Sequence, residues 1–352
     1  MFFILISTLA LSLNIAHAEL FTRKVFAMGT ELEVTLKDIS RDQALLLSED
    51  ILKIVQNTEK RLSTWRSDSE LSQLNSSKAN SPFTASKELS IDLKKAFECE
   101  IETDGAFNPA LAPLVGAWGL RVGGRVPNKT ELKMAKENSG TQLFKVENAR
   151  DSNQKSIFTK ITNRAGIEEG GFGKGAALDE AIQFLKTQSP MEATLNFGGQ
   201  IAFIGKSKKT VAIADPSDRS KTILTFETDS PSVATSGNSV HHNTVKKNGK
   251  KITIGHLINP RTGIPVNDEG SITLLESSAF KADCKSKVFT LGRKNALNWA
   301  DQHQVKILWL SRPSKKEPWT AHTSCAWNEL ISSKNINIKI ISSCKKEREK
   351  KS

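Results

Sequence analysis

The chain contains no tyrosine, and its aromatic residues are 16 Phe and 6 Trp. Any aromatic stacking or aromatic hydrogen bonding must therefore come from phenylalanine and tryptophan. Cysteine is scarce as well, with Cys99, Cys284, Cys325 and Cys344 as the only four in 352 residues. Their spacing along the chain is not that of metal ligands, so a zinc site is not expected.

Long apolar runs are also missing, apart from residues 1–18. That run is too short and wrongly flanked to span a membrane. It ends in Ala16-His17-Ala18, the small-x-small pattern of a signal-peptide cleavage site, although its start lacks Lys and Arg. No cysteine follows for a lipid anchor. We therefore predict a signal peptide over residues 1–18 and an exported, periplasmic protein from Glu19 onward, with no transmembrane span in the mature chain.

The mature chain is basic, with a net charge of +12 for the whole sequence. Because the basic residues are scattered, a nucleic-acid partner is not expected, and an acidic membrane surface, an acidic partner or phosphate ligands fit better.

The length suffices for one large or two medium domains, and no internal repeat or long linker is present. We predict one compact domain over residues 19–343, with one lobe or two, and a basic tail over residues 344–352 that is disordered.

Export permits disulfides, and four cysteines allow three pairings, between which the sequence does not choose. By distance along the chain, Cys325–Cys344 is the least strained pair.

The apolar patterns predict an α+β fold of mixed sheets and flanking helices, because helices and short strands alternate without a βα repeat. A strand pair with a bend near Gly29 is expected over Phe21–Leu36, and Ser63–Pro82 is polar and predicted to be a loop. The dipeptide Asn248-Gly249 predicts a hairpin turn. Helices are predicted at Asp42–Leu62, Ser86–Thr103, Asn128–Glu137, Ala176–Lys186, Ala279–Leu291 and Lys294–Gln302.

The stretch Gly170-Gly171-Phe172-Gly173-Lys174-Gly175 places four glycines and one lysine directly before a helical pattern. Glycine lets the backbone approach a ligand closely and adopt a positive φ, and a helix N-terminus directs its N–H groups toward an anion. The stretch therefore predicts a phosphate-binding loop. A tight turn before a structural helix is the alternative, and because the stretch is neither a Walker A loop nor G-x-G-x-x-G, the motif alone does not decide.

Several other short motifs are spread along the chain in a fixed order. They are Met28-Gly29-Thr30, Leu62-Ser63-Thr64-Trp65 with Asp68-Ser69-Glu70-Leu71 and Asn75, Asp104-Gly105-Ala106-Phe107-Asn108-Pro109, the glycine stretch with Asp179, Asn196-Phe197-Gly198-Gly199, Thr235-Ser236-Gly237, the segment from His256 to Gly263, and Asp283 ahead of Leu291-Gly292. In identity, order and spacing, the series resembles the periplasmic FAD:protein FMN transferases, the ApbE family, over nearly the whole mature chain.

The resemblance implies an enzyme that cleaves the FAD pyrophosphate and moves FMN onto a Thr or Ser hydroxyl of a target protein, releasing AMP with the help of Mg²⁺. The implied targets are flavin-carrying subunits of membrane redox complexes. His256 would take the proton from the hydroxyl, since imidazole titrates near neutral pH; the alternative is a strand-end histidine bonded to backbone. Lys174 would support phosphate charge, or only cap or pair with a carboxylate.

The resemblance also implies the residues of the site. Asp283 would be catalytic with His256, and the metal would be held by the Gly171 carbonyl, Asp283 and Ser286. The FAD contacts are expected from Met28, Trp65, Gly105, Ala106, Phe107, Glu168, Lys174, Ser236, His256 and Leu257.

Three departures from the family pattern affect this prediction. Glu168 stands where the family usually has Asp, and Asn259 where Asp is common. The family places a metal-binding Thr four residues after the metal-binding Asp. Counted from Asp283 this position is Lys287, a cation unsuited to a magnesium site; counted back from Gly292 it is Ser286, which keeps a hydroxyl. An FAD-binding protein with a degenerate metal site and an FAD pyrophosphatase are therefore the alternatives to the transferase.

Overall fold

The computed structural model describes residues 20–149, 154–188, 192–238, 242–247, 250–314, 316–332 and 338–344. The predicted signal peptide, the basic tail after Cys344 and the Asn248-Gly249 turn lie outside these residues. The described residues form an α+β fold of eight α-helices and 19 β-strands. The predicted fold class is confirmed.

The helices begin at the capping residues that the sequence offers. Ser40 and Gln43 form a capping box, and so do Asn128 and Glu131, while the Ser86 side chain accepts a hydrogen bond from Leu89 N. These local signals fix helix starts close to the predicted ones. The helices are α1 (Arg41–Leu62), α2 (Glu70–Ser76), α3 (Lys87–Glu102), α4 (Ala112–Ala117), α5 (Lys129–Glu137), α6 (Gly173–Lys186), α7 (Ala279–Lys285) and α8 (Arg293–Gln302).

The strands are mostly short. The first nine are β1 (Phe21–Ala27), β2 (Thr30–Lys37), β3 (Pro82–Thr84), β4 (Phe144–Asn148), β5 (Ser156–Lys160), β6 (Glu192–Phe197), β7 (Gln200–Ile204), β8 (Lys209–Asp215) and β9 (Asp218–Thr228). The others are β10 (Ser232–Gly237), β11 (His242–Lys247), β12 (Lys250–Gly255), β13 (Ile258–Asn259), β14 (Ile264–Pro265), β15 (Ser271–Glu276), β16 (Lys306–Ser311), β17 (Thr320–Thr323), β18 (Ile331–Ser332) and β19 (Lys339–Ser342).

One large sheet carries the fold. Within the described ranges it has nine strands in the order β1-β2-β6-β7-β10-β15-β16-β17-β19. Every pairing in it is antiparallel except that of β17 with β19. Smaller sheets are formed by β18-β9-β8, by β3-β5-β4 and by the pairs β11-β12 and β13-β14. Antiparallel neighbours joined by short turns bring loops from distant parts of the chain to the same edge of the sheet.

One loop prediction and one helix prediction differ from the structure. The segment Ser63–Pro82 was predicted to be a loop, but it contains α2, whose start is capped by Ser69 and whose Leu71 and Leu74 are fully buried. Two buried leucines on one face are enough to hold a seven-residue helix despite its polar composition. The helix predicted at Ala279–Leu291 ends at Lys285 and continues as a 3₁₀-helix, Ser286–Leu291.

The core lies between the large sheet and the helices. Helices α1 and α6 pack on the sheet through Ile51, Val55 and Leu178, among others, all fully buried. A second cluster around Phe158 and Phe172 connects α3, α6 and α7. In the ranges that the structure describes, the length and apolar character needed to cross a bilayer are not met by any helix.

All four cysteines are paired. Cys325 is bonded to Cys344, as sequence distance suggested, and Cys99 of α3 is bonded to Cys284 of α7. Cys344 was assigned to the tail, but its bond to Cys325 places it in the folded part of the chain. The Cys99–Cys284 bond matters for the site, because Cys284 directly follows Asp283.

Candidate functional site

A cleft of about 570 Å³ lies beside the large sheet. Its size is within the usual range for small-molecule sites. It is formed by segments that are up to 261 residues apart in sequence, from Phe26 to Lys287. Six of the predicted site residues line it: Met28, Lys174, Ser236, His256, Leu257 and Asp283.

Two tight turns form one wall of the cleft. Met28 and Gly29 join β1 to β2 with φ of +43° and +76°, and Gly198 and Gly199 join β6 to β7 with φ of +64° and +93°. Positive φ at both positions is typical of the two-residue turns that connect antiparallel strands, and it requires glycine or a tolerant residue. The predicted bend at Gly29 is confirmed. Both turns bring their motifs to the mouth of the cleft.

The glycine stretch lies at the start of α6, but its glycines do not adopt the positive φ expected of a phosphate-binding loop. None of its four glycines has a positive φ. A Cβ on Gly175 would lie 2.5 Å from the carbonyl oxygen of Ala279 in α7, and one on Gly171 would lie 2.8 Å from the Phe107 ring. Two of the glycines therefore permit close packing of helix and core, and Lys174 between them faces the cleft.

Asp283 is held in place from several sides. Asp179 of α6 accepts hydrogen bonds from the Ala279 and Phe280 amides and so fixes the first turn of α7. One oxygen of the Asp283 carboxylate, Oδ2, accepts a hydrogen bond of 3.1 Å from the Gly175 amide, at the N-terminus of α6. The anion at this helix N-terminus is thus a side chain of the protein itself.

Lys287 lies directly beside Asp283. Its Nζ is 2.8 Å from Asp283 Oδ1 and 2.8 Å from the Asp283 carbonyl oxygen. Burial works to raise the pKa of Asp283, but the positive charges of Lys287 and Lys174 outweigh it and hold the pKa below its usual value. Burial lowers the pKa of Lys287, and the Asp283 charge opposes that shift.

Ser286 is also in contact with this pair. Its Oγ donates to the Asp283 carbonyl at 2.7 Å and lies 2.7 Å from the Ser236 Oγ on β10. The sequence offered Ser286 and Lys287 as alternatives for one position, and the structure brings both to Asp283.

His256 and Leu257 also line the cleft. They follow β12 directly and are half-buried. Asn259 then forms the turn: its Oδ1 accepts hydrogen bonds from the Arg261 and Thr262 amides, and its Nδ2 donates to the Thr290 carbonyl. The amide at this position thus has a structural task that an aspartate could fulfil only in part.

Four predicted residues lie behind the cleft and do not line it. Phe107 is 4% exposed and packs edge-on against Phe172, with 6.5 Å between ring centroids. Ala106 is buried, and its carbonyl accepts a hydrogen bond from Thr290. Gly105, with φ of +74°, ends α3, and Gly171 lies against Phe107. The structure therefore assigns these residues packing contacts, and their contact with a ligand stays a prediction.

Trp65 and Glu168 belong to a separate cluster around Arg121. The Arg121 guanidinium lies 4.8 Å from the centre of the Trp65 ring and is bonded to Glu168 and Thr64. Burial raises the pKa of Glu168, against the opposing charge of Arg121. The Trp65 side chain is 70% exposed. Neither residue lines the cleft.

Sequence reasoning missed Arg121 and Arg219. Arg219 lines the cleft at the start of β9, and its Nη2 would be 3.8 Å from a Cβ on Gly199. It follows an ordinary polar turn, Pro216-Ser217-Asp218, and no motif distinguishes it from the other basic residues. Among the described residues, no group of three or more His, Cys, Asp or Glu side chains could hold a metal ion.

Comparisons with known proteins agree with this arrangement. The chain is 26% identical over 272 residues to a FAD:protein FMN transferase of Vibrio cholerae serotype O1, covering 74% of this chain and 78% of that protein. It is 23% identical over 345 residues to one of Haemophilus influenzae, covering 94% and 98%. The crystal structure of Pseudomonas stutzeri flavinyl transferase ApbE, apo form, matches the fold with a TM-score of 0.75 at 21% identity, covering 89% of this chain and 97% of that one. The sequence model of the ApbE family matches residues 28–309, and the chain therefore belongs to the ApbE family.

Proposed function

We propose that this protein transfers FMN from FAD to a Thr or Ser hydroxyl of a target protein and releases AMP. The observation that carries the proposal is the cleft itself. It unites the Met28 turn, the Gly198-Gly199 turn, Ser236, His256 and Asp283, which are far apart in sequence. The relatives named FAD:protein FMN transferase favour transfer over simple FAD storage.

The reaction exchanges one bond to phosphorus for another. The target hydroxyl oxygen forms a bond to the phosphorus of the FMN half, and the bond from that phosphorus to the bridging oxygen breaks. AMP leaves with the bonding electron pair, and the proton of the hydroxyl passes to a base. His256 is the candidate base, because it lines the cleft and its imidazole can accept a proton near neutral pH.

Phosphoryl transfer depends mainly on positioning and on charge neutralisation. The cleft supplies cationic groups for this purpose in Lys174, Lys287 and Arg219. Asp283 is paired with Lys287 at 2.8 Å, and the positive charge of Lys174 also acts on its carboxylate. The pyrophosphate of FAD would therefore meet fixed positive charge without a large rearrangement.

The Mg²⁺ ion that the family resemblance implies does not fit this arrangement. The oxygens expected to bind it belong to Asp283 and Ser286. Both residues are already in contact with the ammonium group of Lys287, at 2.8 Å and 3.1 Å. An ion at that position would be in contact with a second positive charge. We therefore derive no step of the reaction from magnesium.

We also propose that the target is a flavin-carrying subunit of a membrane redox complex and that the protein works in the periplasm. Export is supported by the apolar residues 1–18 and by two disulfides, which persist in oxidising compartments. Cell fractionation together with mass spectrometry of the mature N-terminus tests this. A protein that retains Met1 and stays in the cytoplasm would refute it.

The direct test of function is a labelling assay. The mature protein is incubated with FAD and a subunit that carries an acceptor Thr, and the products are separated under denaturing conditions. We expect flavin fluorescence that stays with the subunit, and none when the acceptor Thr is replaced by Ala. Free FMN and AMP without a labelled subunit would indicate a pyrophosphatase. Tight FAD binding without any product would indicate a binding protein.

A further inference from the structure

The ammonium group of Lys287 lies among four oxygen atoms. Its Nζ is 2.8 Å from the Asp283 carbonyl oxygen, 2.8 Å from Asp283 Oδ1, 3.1 Å from Ser286 Oγ and 3.3 Å from Ser236 Oγ. One carboxylate, one carbonyl and two hydroxyls form a set of donors that suits a hard cation. In this chain the cation that these oxygens surround is the ammonium group of Lys287, a side chain of the protein.

This group of atoms is buried and fixed. Asp283 is 3% exposed, Ser286 is fully buried, and the Lys287 side chain is 12% exposed. A buried ammonium is costly unless it is paired and hydrogen-bonded, and here both conditions are met. The surroundings hold the oxygens in place: Ser236 is on β10, and Asp283 is tied to α6 through the Gly175 amide.

A divalent ion has no room beside this ammonium. To use the oxygens of Asp283 and Ser286, it would have to lie about where Nζ lies. Repulsion between two unscreened cations in contact, in a buried site, costs far more than between exposed groups. Lys287 would first have to leave its four oxygens. The positive charge of Lys174, which already acts on Lys287, adds to the same repulsion.

We propose that the Lys287 ammonium takes the place of the divalent cation in this protein, so that its cleft binds FAD and supports FMN transfer without Mg²⁺. The inference rests on the proposed function for the identity of the ligand. The lysine supplies one positive charge as a covalent part of the chain, where a bound ion would supply two. Lys287 is thus a charge-neutralising residue that also positions Asp283.

The proposal is tested first on the wild-type protein with the metal alone and with FAD. In calorimetric titration with Mg²⁺ we expect no binding at millimolar concentration, and we expect the Kd for FAD to agree within about twofold in excess EDTA and in millimolar Mg²⁺. Saturable Mg²⁺ binding, or an FAD affinity that rises about tenfold or more with Mg²⁺, would overturn the proposal without any variant.

The second test exchanges the lysine. In Lys287→Thr the ammonium is removed and a hydroxyl is added, so we expect Mg²⁺ to bind and FAD affinity to fall about tenfold in EDTA and to return with Mg²⁺. A lysine with only a structural role would not confer metal dependence. Lys294→Thr, at an exposed position of α8, is the matched control and should behave like the wild type. A folded Lys287→Thr that keeps wild-type FAD affinity in EDTA would count against the proposal.

The two proposals fail in different ways. If no condition gives a labelled subunit while FAD still binds, the transferase function fails, and the EDTA comparison of FAD affinity still decides the role of Lys287. If labelling occurs in Mg²⁺ and stops in EDTA, the function stands and the replacement of the metal by Lys287 is refuted. Should Lys287→Thr not fold, as judged by circular dichroism, the wild-type titrations alone decide.

Discussion

Gly175 in α6 and Ala279 in α7 are so close that no side chain fits between them. A Cβ on Gly175 would lie 2.5 Å from the Ala279 carbonyl oxygen and 2.7 Å from the Phe280 Cα. Both of these neighbours are backbone atoms and cannot move aside without shifting α7. The helix that carries Asp283 is thus positioned by the lack of a side chain on the helix that carries Lys174.

The substitution Gly175→Ala tests this contact. We expect it to lower the free energy of unfolding by about 1–3 kcal/mol, the usual cost of overpacking, and to weaken FAD binding because Asp283 moves with α7. Chemical denaturation and FAD titration measure the two effects. Gly170→Ala is the matched control for stability: no atom lies within 4 Å of its Cβ position, so a change below about 0.5 kcal/mol is expected. Equal stability of both variants would show that α7 adapts freely.

The two disulfides allow a second comparison. Cys99–Cys284 joins α3 to α7 next to Asp283 and closes a separation of 185 residues, whereas Cys325–Cys344 closes 19 residues near β19. Replacing either pair by Ala should cost about 2–5 kcal/mol of stability. Only the Cys99→Ala, Cys284→Ala variant should also lose FAD affinity, because only that bond fixes α7. FAD affinity that is unchanged in this double variant would show that Asp179 and Gly175 position Asp283 by themselves.

The pH dependence of stability should report on Asp92. It is nearly buried beside Arg61, and burial raises its pKa to about 6, with the Arg61 charge opposing the shift. Because the folded protein binds this proton more tightly than the unfolded chain, whose carboxyl has the usual value of 3.8, the stabilisation is complete below about pH 4. This contribution of Asp92 to the free energy of unfolding, about 3 kcal/mol in total, is lost as the pH rises through about 6.

The variant Asp92→Asn cannot titrate, so it isolates this effect. The free energy of unfolding of both proteins is measured by denaturation at about pH 4 and at about pH 7. The value for the variant minus the value for the wild type should be larger at pH 7 than at pH 4, by roughly 3 kcal/mol. A difference that is the same at both values would mean that the pKa of Asp92 is not raised. Arg61 keeps its bond to Glu180 in the variant, so the loss of one pair does not leave it without a partner.

How much the sequence could predict depended on how far apart along the chain the interacting residues are. Ser40 with Gln43, and Asn128 with Glu131, are three residues apart in sequence, and their capping boxes begin helices within one residue of the starts predicted at Asp42 and Asn128. The packing task of Gly175 was not visible, because its partner Ala279 is 104 residues away and the glycine pattern is equally typical of a phosphate loop.

The same limit applied to the candidate site. The family resemblance implied that Met28, Lys174, Ser236 and Asp283 share a site, and all four line one cleft. The sequence marked Lys287 only as unsuited to a metal. That its amine folds back one turn onto Asp283 depends on helix geometry, since residues i and i+4 lie on one face. Sequence alone could not show that a cation was replaced rather than lost.

The role of His256 is the last prediction. The side chain lines the same cleft as Lys174 and Asp283. His256→Gln keeps a polar side chain of similar size but removes the proton acceptor. If His256 is the base, the rate of FMN transfer at saturating FAD should fall by about 10²–10⁴-fold, the usual share of general base catalysis, while the Kd for FAD changes little.

Single-turnover labelling of the target subunit measures the rate, and FAD titration measures the affinity. His322→Gln provides a matched control, because His322 is on β17, in contact with Arg293, and does not line the cleft. It should label the subunit at the wild-type rate. If His256→Gln instead loses FAD affinity and labels at the normal rate once FAD is saturating, His256 holds the ligand and another group or water takes the proton. Only a rate loss without an affinity loss assigns the proton transfer to His256, because a base acts in the transition state and not in the ground-state complex.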